Sequence, residues 1–139
     1  MEKAKGIDVS HWQGKIDFEK VKSQGYSFVM INAGYGKYIS QKDENFEKNY
    51  AAARKAGLNI GTYWYSYALT EADALAEAKT FLEAVKGKMF EYPLAFDIED
   101  ASQSELPNAA VNKIIEAFCD YLESNGYYCL LYTSDAADD

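Results

Sequence analysis

The sequence predicts an α/β fold of parallel β/α units, and three observations carry that reading. Short β-prone runs alternate with amphipathic segments from one end of the chain to the other. The runs at 27–33 and 93–99 are nearly continuous in apolar residues, as in strands covered on both faces. The segments between them end at glycine or open on a polar cap, as helices do. Five strands joined by four helices imply parallel crossovers.

Taken in order, residues 4–10 (AKGIDVS) read as a first strand and 15–24 as a short helix. Residues 27–33 (SFVMINA) form the second strand, followed by a loop with Gly34 and Gly36. Asp43 is expected to cap a helix that runs to Ala56 and stops at Gly57. Residues 59–68 (NIGTYWYSYA) are the third strand. Thr70 with Asp73 resembles a capping box opening a helix to Lys86, with an apolar stripe of Leu75, Ala78, Leu82 and Val85. Residues 93–99 are the fourth strand. Asn108 is expected to cap a helix whose stripe is Val111, Ile114, Ile115, Phe118, Cys119 and Leu122, ended by Gly126. Residues 127–133 read as the fifth strand. An open doubly wound sheet and part of a β/α barrel both fit this order. No glycine-rich phosphate loop follows the first strand, and Gly34-Tyr35-Gly36 is a weak substitute, which favours the barrel over nucleotide binding.

Composition narrows the classes of function. A chain of 139 residues, 48% hydrophobic and 15% aromatic, can form one core and one domain. Its 22 acidic and 14 basic residues give a net charge of −8. That argues against sequence-independent nucleic-acid binding or adhesion to an anionic membrane, both of which need a basic face. The opening Met1-Glu-Lys-Ala-Lys-Gly6 lacks the apolar core of a secretory signal, and no apolar run reaches the ~20 residues of a membrane span. Cys119 and Cys129 read as small buried hydrophobes rather than a bridge or a nucleophile. No cofactor is called for. With one histidine in the chain, a His-rich metal site is excluded, whereas Asp8, Asp97, Glu99 and Asp100 could offer oxygen ligands to a divalent ion.

The most informative segment is Pro93-Leu-Ala-Phe-Asp-Ile-Glu-Asp100. Side chains two apart on a strand share a face, with Cα atoms roughly 6–7 Å apart, so Asp97 and Glu99 should project together while Ile98 packs the other way. Two such carboxylates repel when both are ionised, and one is driven toward its protonated form. A proton donor beside an anion is what glycoside cleavage needs. In a β/α barrel the functional groups gather at the C-terminal ends of the strands. Asp8, Asn32, Asp97 and Glu99 all fall there. Tyr63, Tyr65 and Tyr67 alternate on one face of the third strand, with Trp64 on the other, and offer flat surfaces with hydroxyl tips suited to sugar rings; core packing is the alternative. His11-Trp12-Gln13 adds a second polar and aromatic cluster to the same rim.

At this point the residues resemble a known family. Gly6-Ile-Asp-Val-Ser-His-Trp-Gln-Gly14 with Ile16-Asp-Phe18, then Phe28 to Gly36, Gly61 to Tyr67 and Phe96-Asp-Ile-Glu99, follow in order the motifs of glycoside hydrolase family 25, the N-acetylmuramidase lysozymes of bacteria and phages. The resemblance runs from about Lys5 to Tyr132. It implies an irregular, TIM-like β/α barrel that hydrolyses the β-1,4 bond between N-acetylmuramic acid and N-acetylglucosamine in peptidoglycan, outside the cell membrane. It implies Glu99 as general acid, Asp97 as the anion that orients or stabilises the substrate's N-acetyl group, and Asp8 in the same cleft. Tyr63 and Tyr65 correspond to cleft aromatics, and Trp12 and Asn32 to substrate contacts, Asn32 standing where many members carry a basic residue. The family's barrel continues beyond a fifth strand. Residues 1–132 are therefore expected to be a partial catalytic domain, with 133–139 an artefactual tail. Two other classes are compatible with the residues: a glycan-binding module without turnover, and a chitinase-like barrel, although Leu94, Ala95 and Phe96 interrupt the acidic run that the latter carries.

Overall fold

The computed structural model describes residues 5–10 and 16–132. Strands β1 (Gly6–Val9), β2 (Phe28–Tyr35), β3 (Asn59–Tyr65), β4 (Leu94–Asp97) and β5 (Cys129–Tyr132) form one sheet. All four pairings are parallel, and the spatial order is the chain order β1-β2-β3-β4-β5. A doubly wound sheet reverses its order at a switch point; a barrel does not. Of the two topologies compatible with the sequence, the observed one is the barrel-like arc.

Helices α1 (Phe18–Ser23), α2 (Phe46–Lys55), α3 (Glu71–Val85) and α4 (Asn108–Ser124) fill the connections. Their buried side chains join one sheet face in a single core, in which Val29, Ile31, Ile60, Trp64, Leu94 and Phe96 meet Phe46, Phe81, Ile114, Phe118 and Leu122. An aromatic row runs through it: Trp64 stacks on Phe81 at 5.4 Å, Phe81 meets Phe118 at 5.9 Å, and Phe118 meets Phe96 edge-on at 3.9 Å. Each such side chain contributes roughly 1.5–3 kcal/mol by leaving water. The opposite face is different. There Tyr63 and Ala95 pack with Met30 in a small separate cluster, and the polar groups of the site rise from it.

Several boundaries differ from the sequence expectation. Asp43 does not cap α2. Its Oδ1 accepts from Asn45 N at 2.8 Å in a local turn, and Asn45 is the cap residue. Asn108 is the first residue of α4 rather than its cap, which is Pro107, a residue with no side-chain donor or acceptor. Thr70 does cap α3, accepting from Asp73 N at 3.1 Å. The buried stripe of α3 is rotated by about one residue, to Ala74, Ala78, Phe81 and Val85, leaving Leu75 exposed. It also carries Glu77, which no apolar pattern would place inside. Strand β2 runs on through Gly34 to Tyr35, and Gly36 then adopts a left-handed φ of +72°. That turn presents the Gly36 carbonyl to Trp64 Nε1 at 2.7 Å, so these glycines serve packing. The cysteines are half-buried rather than core residues. Both are free thiols, joined by an Sγ–Sγ contact of 2.8 Å between α4 and β5.

Strands β3 and β4 are shorter than expected, ending at Tyr65 and Asp97. Tyr67 and Glu99 therefore lie on loops, just beyond the sheet.

Candidate active site

Because the strands are parallel, their C-terminal ends share one edge of the sheet. The residue alternation of each strand decides what reaches the non-helical face there. Register places Asn32 beside Tyr63, Tyr63 beside Ala95, and Tyr65 beside Asp97. Asp8, on β1, joins them across the sheet, since Tyr63 Oη donates to Asp8 Oδ1 at 2.6 Å. Tyr63 is only 8% exposed. It is thus a buried prop for Asp8 rather than an open platform for a sugar ring.

Asp97 is 2% exposed, and its Oδ1 is buried with no hydrogen-bond partner. Burial is the largest force on its carboxyl; the charge of Glu99, a hydrogen bond between the two carboxyl groups, and the charge of Asp8 act the same way. Together they raise its pKa to about 8. Burial and the acidic neighbours thus favour the protonated form of the Asp97 carboxyl. Glu99 itself is exposed at the mouth of the site. Between them Ile98 turns away and packs on the helix-side core, which anchors the loop that carries Glu99.

Tyr65 is half-buried, and its hydroxyl donates to Asp100 Oδ1 at 3.1 Å. Burial and that contact push the Tyr65 phenol upward, so it stays protonated. Asp100 in turn accepts from Ser102 Oγ at 2.6 Å and Ser102 N at 3.1 Å, which hold its carboxyl below the usual range. Beyond Tyr65 the rim continues through Tyr67, 5.2 Å away, to Tyr35, 5.8 Å further and edge-on. Tyr67 and Tyr35 are about half exposed and offer the open aromatic surface that Tyr63 does not.

The structure thus brings together Asp8, Asp97, Glu99, Tyr63, Tyr65 and Asn32. Trp12, with His11, lies outside the described residues. Sequence reasoning passed over Tyr35 and gave Asp100 only a metal-ligand role. The signal for Asp100 was present in its spacing to Gln103, a capping-box pattern that closes the 3-10 turn at Ala101–Gln103. Among the described residues, no group of three or more His, Cys, Asp or Glu side chains is arranged to hold a metal ion.

A parallel β/α arc with Asp8, Asp97 and Glu99 gathered at its C-terminal edge is an arrangement in which β/α hydrolases place their sites. The chain belongs to glycosyl hydrolases family 25, whose family model matches residues 7–136. It is 33% identical over 129 residues to the autolytic lysozyme of Clostridium acetobutylicum, covering 93% of this chain and 38% of that protein. The bacterial lysozyme from Streptomyces coelicolor has a similar structure, with a TM-score of 0.80 and 30% identity over 95% of this chain and 63% of that one. So has the modular autolysin LytC from Streptococcus pneumoniae, solved in complex with a synthetic peptidoglycan ligand, with a TM-score of 0.81 and 26% identity over 94% of this chain and 32% of that one. The chain spans less than two thirds of the length of each.

Proposed function

We propose that this chain carries the catalytic carboxyls of an N-acetylmuramidase, which hydrolyses the β-1,4 bond between N-acetylmuramic acid and N-acetylglucosamine in bacterial peptidoglycan. The observation that carries the reading is the placement of buried Asp97, its carboxyl pKa pushed up to about 8, next to solvent-exposed Glu99 at the C-terminal end of β4. Membership of the family and the lysozyme names of its relatives support it.

In this reading Glu99, the member open to solvent, faces the glycosidic oxygen and donates the proton as the bond breaks. Asp97, the buried neighbour with the raised pKa, passes its proton to Glu99 and remains as the anion. That anion faces the sugar side of the broken bond, where positive charge develops and where an N-acetyl group can be oriented for participation. Asp8, held by Tyr63, adds negative charge on the same side. Asn32 and the Tyr65–Tyr67–Tyr35 row contact the glycan. The site of action is the cell wall.

The test is product identity. Purified peptidoglycan is incubated with the chain, reduced with borohydride and analysed by mass spectrometry. Muramidase action yields reduced N-acetylmuramic acid ends. Reduced N-acetylglucosamine ends, or binding without new reducing ends, would refute the reading.

A further inference from the structure

Behind the carboxyl pair, on the helix side of the sheet edge, lies a buried polar network that the reaction itself does not use. Glu77 sits in the middle of the apolar stripe of α3 and is 2% exposed. Its Oε1 accepts from Ser66 Oγ at 2.7 Å and its Oε2 from Tyr67 N at 2.8 Å. Ser66 Oγ accepts from Ala68 N at 3.0 Å and from Gln103 Nε2 at 3.1 Å. Gln103, 5% exposed, gives its second amide hydrogen to Ala68 O at 2.9 Å, while its Oε1 accepts from Asp100 N at 3.2 Å.

The polarity runs one way. Both amide hydrogens of Gln103 are spent, the Ser66 hydroxyl donates once and accepts twice, and both oxygens of Glu77 accept. No group in the network can be reversed alone without leaving a buried donor facing a donor.

Its position matters as much as its completeness. Ser66 N also donates to Asp97 O at 2.8 Å. One residue, the first beyond β3, is therefore tied to Asp97 through its backbone and to Gln103, and so to Asp100, through its hydroxyl. Glu99 lies on the short span between these two anchors. Because β4 ends at Asp97, no strand ladder holds this span; it is held by these two anchors together with the packing of Ile98 and the Tyr65–Asp100 bond.

We propose that Glu77, Ser66 and Gln103 are positioning residues for Glu99, fixing the Asp97–Gln103 segment against the end of β3 so that Glu99 stays beside Asp97. The proposal rests on the reading of Glu99 as the reacting carboxyl, and its test separates the two.

Glu77→Gln and Gln103→Glu are near-isosteric; the first breaks the polarity at one point, the second at two, toward Ser66 Oγ and toward Ala68 O. Amide hydrogen exchange on the full chain reads the pinning without substrate. In Glu77→Gln, exchange is expected to accelerate about 5- to 10-fold, the scale of one lost hydrogen bond, at Tyr67 and Ala68 and also at Asp100 and Gln103, which Glu77 does not touch. Val29, Ile31 and Ile60 should keep their parental rates. On peptidoglycan, either single variant should lose about 10- to 100-fold in kcat with little change in KM, the signature of misplaced chemistry. The double variant restores the polarity along 77, Ser66 and 103, because the new amide at 77 donates to Ser66 Oγ, whose hydroxyl turns to the new carboxylate at 103; only the contact with Ala68 O stays unmatched. This variant should recover part of both losses.

Acceleration confined to Tyr67 and Ala68, or spread evenly to Ile31 and Ile60, would overturn the proposal, as would a double variant worse than the sum of the singles. If the parent chain does not cleave peptidoglycan, the muramidase reading fails on that result alone, while the exchange pattern still decides whether the network pins the segment.

Discussion

Tyr63 Oη donates to Asp8 Oδ1 at 2.6 Å, joining β3 to β1 across the intervening β2. The bond holds Asp8 on the face where Asp97, whose carboxyl feels its charge, also lies. It also explains why a tyrosine suited to contact sugar is instead buried. Tyr63→Phe removes only the hydroxyl. A hydrogen bond to a charged group contributes roughly 1.5–3 kcal/mol, so urea unfolding should show a loss of about 1–2 kcal/mol after partial re-solvation of Asp8. Unchanged stability would mean that Asp8 finds an equal partner elsewhere.

Asp97 makes the fold sensitive to pH. Its folded pKa, raised to about 8, lies above the ordinary ~3.9 of an unfolded aspartate. A raised pKa stabilises the fold only while the group is protonated. That contribution is full below pH ~4 and is lost as pH rises toward 8, by at most ~1.4 kcal/mol for each pH step of one between the two values. Asp97→Asn removes the dependence. The variant should therefore be more stable than the parent at pH 9, by an amount on the order of 3 kcal/mol, with the gap shrinking steadily toward pH 4. A gap that grows on acidification would reverse the sign and contradict a proton held on Asp97.

The same substitution should act on turnover more than on binding. If Asp97 stabilises charge that appears only as the bond breaks, Asp97→Asn lowers kcat while KM stays close to the parental value. A change confined to KM would make Asp97 a binding residue.

Thr70 supplies the one side-chain cap of α3, the helix that delivers Glu77. Thr70→Ala should cost about 1 kcal/mol in unfolding free energy without changing the far-UV spectrum of the folded chain. A cost near zero would show that Asp73, which accepts from Leu69 N, is enough to start the helix.

Much of this architecture was legible in the sequence because strand alternation and helix punctuation are local signals. The five strands and four helices follow from them, and Ile98 packs into the helix-side core as alternation from Asp97 requires, although β4 ends at Asp97 and Glu99 lies on the loop beyond it. What escaped is long-range. The stripe of α3 shifted because Phe81 stacks on Trp64, a contact between residues of different elements, and because the carboxyl of Glu77 finds donors on Ser66 and Tyr67. Asn108 and Asp43 have the chemistry of cap residues, but the chain entered each helix by another route. Tyr63 and Tyr65 looked equivalent by alternation. Only the strand register shows that one reaches Asp8 and the other Asp100.

The central claim is that Asp97 and Glu99 act as a pair sharing one proton, with Glu99 delivering it. The most direct measurement is the rate of reducing-end release from purified peptidoglycan by the parent chain and by Glu99→Gln, with binding to the same insoluble substrate measured in parallel. The account predicts turnover by the parent and a loss of nearly all of it in Glu99→Gln, with binding retained. Near-parental turnover by Glu99→Gln would contradict it.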